Sequence, residues 1–421
     1  MTSKSKDTEA FVWIWLPDET RPTVAGKMVS DGKDIEFNYG KSYLERRNDN
    51  RAAISIYEPE LPLKAGLLPV QEGLNFYGCL RDAAPDAWGR RVIINRKLGQ
   101  KGASTDTAML DELTYLLESG SDRIGALDFQ RSPTEYVSRS AGNVSLEELL
   151  QSAERVEKGI ALTPELDQAL FHGSSIGGAR PKALIEDQGC KYVAKFSSTS
   201  DLYSVVKAEF IAMRLASLAG LNVAPVKMAR AANKDVLLIQ RFDRLKKENG
   251  WSRKCMVSAL TLFGLDDMMA RYASYEEFAE IIRHRFSEPK NSAKELFSRL
   301  VFNILCGNTD DHARNHAAFW DGKILSLTPA YDICPQGRAG NEASQAMLIS
   351  GNNNLSRLKT CLSAAHSFLL SENEARDIFE HQISVIEDNW TSVCDEAQLN
   401  EVDRNLLWGR QFLNPFSLEQ K

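Results

Sequence analysis

One stretch, Gly307-Asn-Thr-Asp310-Asp311-His312-Ala313-Arg314-Asn315-His316, constrains the fold more than any other part of the chain. Asp310 and Asn315 stand in a D-x-x-x-x-N spacing. At that spacing a kinase catalytic loop sets one carboxylate at an attacking hydroxyl and one amide oxygen on magnesium. The spacing alone is common, because loops are rich in Asp and Asn. The next twenty residues make it informative: His316–Trp320, a turn on Asp321-Gly322 and Lys323–Leu327 read as a hairpin that returns the chain to its start. There Tyr331-Asp332-Ile333-Cys334 arrives. Asn315 and Asp332 would then meet at the open end of one hairpin, and two oxygen donors suit hard Mg²⁺. Read locally, the same residues are turn and helix-capping groups.

Upstream, Lys195 lies on a strand Tyr192–Phe196, and Glu209 is the sole carboxylate between Leu202 and Ala219 on the next helix. An acid on a mostly buried face needs a partner, and Lys195 is the candidate. The pair would match the lysine–glutamate pair that fixes a kinase's phosphate-binding lysine. An exposed Lys and an exposed Glu are the plainer alternative. The loop Gly173–Lys182 (G-S-S-I-G-G-A-R-P-K) would offer backbone N–H groups to phosphate oxygens, since Gly177 and Gly178 tolerate close approach. Ala179 comes after Gly178, so the loop fits neither G-x-x-x-x-G-K-[ST] nor G-x-G-x-x-G, which disfavours a P-loop NTPase and a dinucleotide site. Gln240-Arg241-Phe242 end a strand at the start of the helical half, where a two-lobed kinase presents backbone groups to adenine. His312 and His316 are spaced i, i+4, but Ala313 stands where H-E-x-x-H needs its glutamate, so zinc hydrolysis has little support.

Around these motifs the element order is readable. Phe11–Leu16, Val24–Ser30 and Ile35–Tyr39 read as strands, the last two joined at Asp31-Gly32. Between Asn75 and Leu98 the pattern turns helical around Leu80–Arg90, with Pro85 suited to a first turn and Asp82 or Ala84 near the cap. Arg131–Asn143 reads as a polar linker, placing a boundary near residue 135. Ser145-Leu-Glu-Glu148 is a capping box. Strands Lys182–Ile185 and Lys191–Phe196 flank Asp187-Gln188-Gly189, a helix covers Ser204–Ala219 before Gly220, and Val236–Ile239 is another strand. From about residue 255 helical periodicity dominates.

The expected architecture is therefore α+β: a β-rich N-terminal module (1–135), a kinase-like N-lobe with a Gly-rich loop (136–245) and a mainly helical C-lobe with the catalytic loop (246–421). A net charge of −6, from 51 basic and 57 acidic residues, supplies no global field for nucleic acid or an anionic membrane. Seven scattered cysteines without a C-x-x-C pair read as the reduced thiols of a cytoplasmic protein. Phe11–Pro17 is too short for a signal sequence, and no run reaches the roughly 18 apolar residues of a membrane span.

With these residues assembled, the chain resembles the HipA family of bacterial serine/threonine kinase toxins. The family's T-D-x-H-A-[KR]-N string stands at Thr309–Asn315 and its S-x-x-G-x-x-x-K loop at Ser175–Lys182. Its E-R-F-D-R hinge appears as Gln240-Arg-Phe-Asp-Arg244, with Gln in place of Glu, and its L-T-P-x-Y-D stretch is Leu327–Asp332. Leu80–Arg90 and Asp122-Arg-Ile-Gly-Ala-Leu127 extend the resemblance into the N-terminal part.

The resemblance implies ATP and Mg²⁺ as cofactors, with Asp310 as catalytic base and Asn315 and Asp332 as metal ligands. It implies a nucleotide surface of Gly177, Gly178, Ala179, Arg180, Lys182, Lys195, Gln240, Arg241, Phe242, His312, Arg314 and Tyr331, with Glu209 as the ion-pair partner. Ser175, with Ser174 adjacent, matches the loop serine that family members autophosphorylate to silence themselves. A small helix-turn-helix antitoxin as partner, operator DNA reached through it, and a translation component such as an aminoacyl-tRNA synthetase as substrate are implied as well. Two other functions stay open at this point: a catalytically silent corepressor, and a small-molecule or lipid kinase on the same scaffold.

Overall fold

The structure is a computed structural model that describes residues 7–31, 34–46, 51–98, 110–140, 145–157, 160, 180–197, 201, 203–338 and 340–419. The Gly-rich turn with Ser174, Ser175, Gly177, Gly178 and Ala179 lies outside the described residues, as does Gly32 of the first hairpin.

The N-terminal part is built on an antiparallel sheet of order β3-β2-β1-β4, from β1 (Glu9–Ile14), β2 (Thr23–Ser30), β3 (Ile35–Tyr39) and β4 (Leu127–Gln130). Alternation along β1 turns Ala10, Val12 and Ile14 into the core. The return of the chain to β4 carries the segment Asp122–Gly125 back across the molecule. Residues 131–140 contain no helix or strand, as their polarity suggests, yet they are pinned to this sheet. Arg139 donates to Asp128 at 2.8 Å and Tyr136 to Asp128 at 3.0 Å.

The helical stretch expected between Asn75 and Leu98 is present in two pieces. Two helices, Gly78–Arg81 and α1 (Ala87–Leu98), are separated by a break that contains Pro85. The break has a long-range cause. Asp82 does not cap a helix start but accepts from the Ser258 backbone and hydroxyl (both 2.7 Å) and from Thr261 (2.8 Å), and Asp86 supplies the cap to Trp88 N at 3.2 Å.

A second antiparallel sheet has the order β5-β6-β8-β7, from β5 (Lys182–Asp187), β6 (Cys190–Phe196), β7 (Val226–Ala231) and β8 (Lys234–Gln240). Gln188 and Gly189 both take positive φ (49° and 74°), the two-residue turn that matches strand twist. Its two faces are separately covered. Ala194, Phe196, Val236 and Leu238 pack with Trp88 of α1 and with Leu149, Leu150 and Ala153 of α2 (Leu146–Glu157), while Leu237 and Ile239 join the core containing Phe210 and Ile211 of α3 (Val205–Leu218). Helix α2 opens on the capping box read from sequence, with Glu148 N donating to Ser145 Oγ at 3.2 Å and Ser145 N to Glu148 at 2.9 Å.

The remainder is mainly helical. It includes α4 (Tyr275–Arg285), α5 (Pro289–Leu305) and α6 (Glu372–Glu396), the last packed on both α3 and α5. It is less uniformly helical than its periodicity suggests. A ribbon of β9 (Arg244–Lys247) and β10 (Gly250–Arg253) opens it, and β11 (Cys255–Ser258) joins the expected hairpin of β12 (Ala317–Trp320) and β13 (Leu325–Leu327) as a third strand. These strands of three or four residues carry too little pattern to stand out against a helical background. Among the described residues, no helix is long and apolar enough to cross a membrane.

Candidate active site

Alternation on β6 decides where Lys195 points. Its neighbours Ala194 and Phe196 face α1 and α2, so Lys195 projects to the side of α3, where Glu209 lies within a turn of the apolar Phe210 and Met213. Lys195 Nζ stands 2.6 Å from Glu209 Oε1 and also contacts the Asp332 carboxylate. In register across β5 and β6, Lys182 faces Lys195, and both are buried. Two buried ammoniums side by side repel. They are offset here by Glu209, Asp332 and Asp86, whose fields all act on Lys182.

The catalytic-loop candidate comes directly after α5. Gly307 at φ +71° makes the turn, and the loop is held from below by Asp311. That buried carboxylate accepts from Asn303 Nδ2 at 2.7 Å, from the Tyr275 hydroxyl, and faces His316 Nε2 at 2.9 Å. Burial alone would raise the Asp311 pKa, but His316 and Tyr275 reverse this and hold it below the ordinary value. His316 is thereby committed to Asp311, and residues Ala313–Asn315 form a 3₁₀ turn, so the i, i+4 histidines do not share a helical face. Asp310 projects outward instead. Partial desolvation pushes its carboxyl up, with Asp332 and Asp311 adding to the shift and His312 opposing it.

The hairpin closes as expected. Thr328 N donates to Ala317 O at 3.1 Å, and the Tyr331 hydroxyl donates to Arg314 O at 2.8 Å, so the residues preceding Asn315 and Asp332 are linked directly. Asn315 Nδ2 donates to Asp310 O at 3.2 Å, leaving its amide oxygen available. Asp332 has φ +60°, a conformation that Asp tolerates better than most side chains. Burial would raise its carboxyl, but Lys195 and then Lys182 hold it down at about 2. With one Asp332 oxygen on Lys195, its second oxygen and the Asn315 amide oxygen form a donor set that fits Mg²⁺.

The structure thus brings Lys182, Lys195, Glu209 and Asp332 together, with Asp310 and His312 within their field and Asn315 bonded to Asp310. On the connector, Phe242 packs against Tyr331 with ring centroids 5.7 Å apart. Gln240 donates its backbone N–H to Pro225 O at 2.8 Å. Arg180 pairs with Asp201 at 2.7 Å and Arg314 with Asp267 at 2.7 Å, both at the margin of the group.

Arg241 is the outlier: its guanidinium is buried against Asp243 (2.7 Å), Asp122 (3.0 Å) and the Arg123 carbonyl (2.6 Å), away from the lysines. Its backbone N–H donates to Lys191 O at 2.8 Å, so neither its guanidinium nor its N–H is left for a nucleotide. The sequence reading also missed Asp311, Tyr275 and Asn303. The signal for Asp311 was present, since an acid next to an apolar helix end and a histidine five residues on invite a pair. Tyr275 and Asn303 carried none.

A hairpin-bearing lobe with a strand lysine and helix glutamate, joined to a mainly helical half that carries the loop and hairpin, defines a two-lobed kinase-like fold. The HipA-like C-terminal domain matches residues 174–390 and the HipA N-terminal domain matches residues 14–130, and the chain belongs to the HipA family. Among its relatives is "Putative kinase Y4mE" of Sinorhizobium fredii, 25% identical over 330 residues that span 74% of each chain. The serine/threonine-protein kinase toxin HipA of Shewanella oneidensis is 25% identical over 183 residues, 38% of this chain and 42% of that one. HipA in the solved Shewanella oneidensis complex of HipA, HipB and operator DNA has the same fold, with a TM-score of 0.70 at 19% identity over 96% of this chain and 99% of that one.

Proposed function

We propose that the chain is an ATP-dependent serine/threonine protein kinase and the toxin of a toxin–antitoxin pair. The observation that carries the reading is the face-to-face placement of Lys182 and Lys195, bracketed by Glu209 and Asp332. Two buried cations with carboxylates of different origin form a seat for a polyphosphate, whose charge would take over from Asp332 as the counter-charge of Lys195. Phe242 and Tyr331 offer an aromatic surface to the adenine, and connector backbone groups other than the already bonded N–H groups of Gln240 and Arg241 its polar edge. Arg180, His312 and Arg314 lie at the margin, and Gly177, Gly178 and Ala179 of the loop would supply the phosphate side.

Asn315 and Asp332 would hold Mg²⁺, which when bound neutralises charge on the phosphates. Asp310 orients the acceptor hydroxyl and takes its proton, and its raised pKa suits it to that task better than an ordinary aspartate. Phosphorylation of Ser175, or of the adjacent Ser174, would set a dianionic group beside Gly177 and Gly178 and repel ATP, giving self-inactivation.

The division at residues 135 and 245 is retained in this reading. The solved complex of the Shewanella HipA with HipB and operator DNA supports a small helix-turn-helix antitoxin as partner, with DNA reached through it. The acceptor is taken to be a cytoplasmic translation component, such as an aminoacyl-tRNA synthetase. Incubation with γ-labelled ATP and Mg²⁺ tests the core of the reading. Label should appear on the chain itself at Ser174 or Ser175 and on a protein of a bacterial lysate. Label on neither would overturn it.

A further inference from the structure

The N-terminal part reaches the interlobe connector at one point. Asp122 receives three cations there: Lys191 of β6 at 2.6 Å, Arg241 of the connector at 3.0 Å and Arg244 at its end at 2.9 Å. Around it, Arg241 and Arg244 donate to the Arg123 carbonyl, Arg244 also to Gly125 O at 2.9 Å, and Gly125 N to Asp243 at 2.8 Å. Arg241, Asp243 and Arg244 are buried, so these pairs are shielded from water. Asp122 is held well below the ordinary carboxylate range: burial opposes this, and Arg241, Arg244 and Lys191 prevail.

What the cluster ties together matters more than its strength. Lys191 sits on the same face of the same strand as Lys195. Arg241 and Arg244 flank Phe242, whose ring packs on Tyr331, the neighbour of Asp332. One carboxylate from outside the two lobes therefore fixes both the strand that carries the phosphate lysine and the connector that carries the aromatic surface.

We propose that Asp122 is a positioning residue for the nucleotide, setting ATP affinity from the N-terminal module through Lys191, Arg241 and Arg244. The inference rests on the reading of the Lys195 site as an ATP site. The cluster sets two acids, Asp122 and Asp243, against these three cations, with the Arg253 guanidinium also acting on Asp122 and Arg244. Without the Asp122 charge Lys191 loses that carboxylate and Asp243 is left to face Arg241 and Arg244, which repel each other, so the connector must shift to relieve them. Phe242 shifts with it, while among the described residues Asp310 and its loop form no hydrogen bond or ion pair with the cluster.

The test uses the full chain with Mg²⁺ and ATP, measuring affinity by calorimetric titration and transfer by initial rates. Asp122→Asn should raise KM and Kd for ATP about tenfold while kcat stays within about threefold. Asp122→Asn combined with Lys191→Met removes one cation as well, and should bring KM back to within about threefold of the starting protein. Should Asp122→Asn not fold, Arg244→Lys carries the same expectation, because lysine keeps the charge but cannot fork between Asp122 and Asp243. A folded Asp122→Asn protein with unchanged KM, a loss confined to kcat, or a double variant no better than the single would each overturn the proposal. Failure of the unaltered chain to bind ATP would instead sink the nucleotide reading on which it rests.

Discussion

Lys195 Nζ lies 2.6 Å from Glu209 Oε1 while the same ammonium touches Asp332, so one side chain joins β6, α3 and the return of the β12–β13 hairpin. Glu209 is buried, and burial pushes its carboxyl up against the pull of Lys195. Breaking a buried pair by removing one partner costs about 3 kcal/mol or more. Glu209→Gln should therefore lower the denaturation midpoint measurably and weaken ATP binding. A variant equal to the starting protein in both titrations would contradict the role given to the pair.

Two carboxyls at the site are shifted in opposite directions, and one of them sets the acid side of the pH–rate profile. Asp332 sits at about 2 and stays ionised through the working range, so it sets no limb. Asp310 is raised, and a base works only when deprotonated, so transfer should fall as pH drops through a value above the ordinary ~3.9 of Asp. His312 opposes the rise, so His312→Ala should move that limb to higher pH. Initial rates from about pH 4 upward, with Mg²⁺ saturating, give the answer.

Asp311 predicts a stability effect with a defined pH signature. Its folded pKa is depressed, so its contribution is complete above the unfolded value of ~3.9 and is lost as pH falls below that toward the folded value. Asp311→Asn leaves poorly matched donors on Tyr275, Asn303 and His316 and should cost about 3 kcal/mol at neutral pH. The cost should shrink in acid, where the unaltered chain loses the same contribution. Urea midpoints at neutral pH and near about pH 3 check both parts.

Gly307 allows the loop to leave α5 at φ +71°, and a Cβ there would meet the Gln411 carbonyl oxygen at 2.7 Å and its Cα at 3.0 Å. Backbone cannot yield as a flexible side chain does. Gly307→Ala should destabilise by about 1–3 kcal/mol and disturb Asp310 more than the lysine pair. Thermal melting together with ATP titration separates the two effects.

What was legible in the sequence was local. The turn at Gln188-Gly189, the capping box at Ser145 and the hairpin at Asp321-Gly322 are short-range signals, and each appears where its residues stand. Lys195 and Glu209 were readable because period two on a strand and a lone acid on an apolar helix each single out one residue. The break after Arg81 was not readable, since its cause is a bond from Asp82 to Ser258 far along the chain. Arg241 was placed at the nucleotide by its position on the connector, while its guanidinium turns to Asp122 and Asp243 for the same reason: partners distant in sequence leave no periodic trace. Strand β7 was missed because most of its residues are half-buried and show no alternation.

The most direct measurement is phosphoryl transfer by Asp310→Asn, which removes the proposed base and leaves Lys182, Lys195 and Glu209 untouched. With γ-labelled ATP and Mg²⁺, transfer to the chain and to lysate protein should fall by at least about 100-fold, while the Kd for ATP stays within a few-fold. Transfer at the rate of the unaltered chain would show that another group takes the proton, and the assignment of this loop as catalytic would fail.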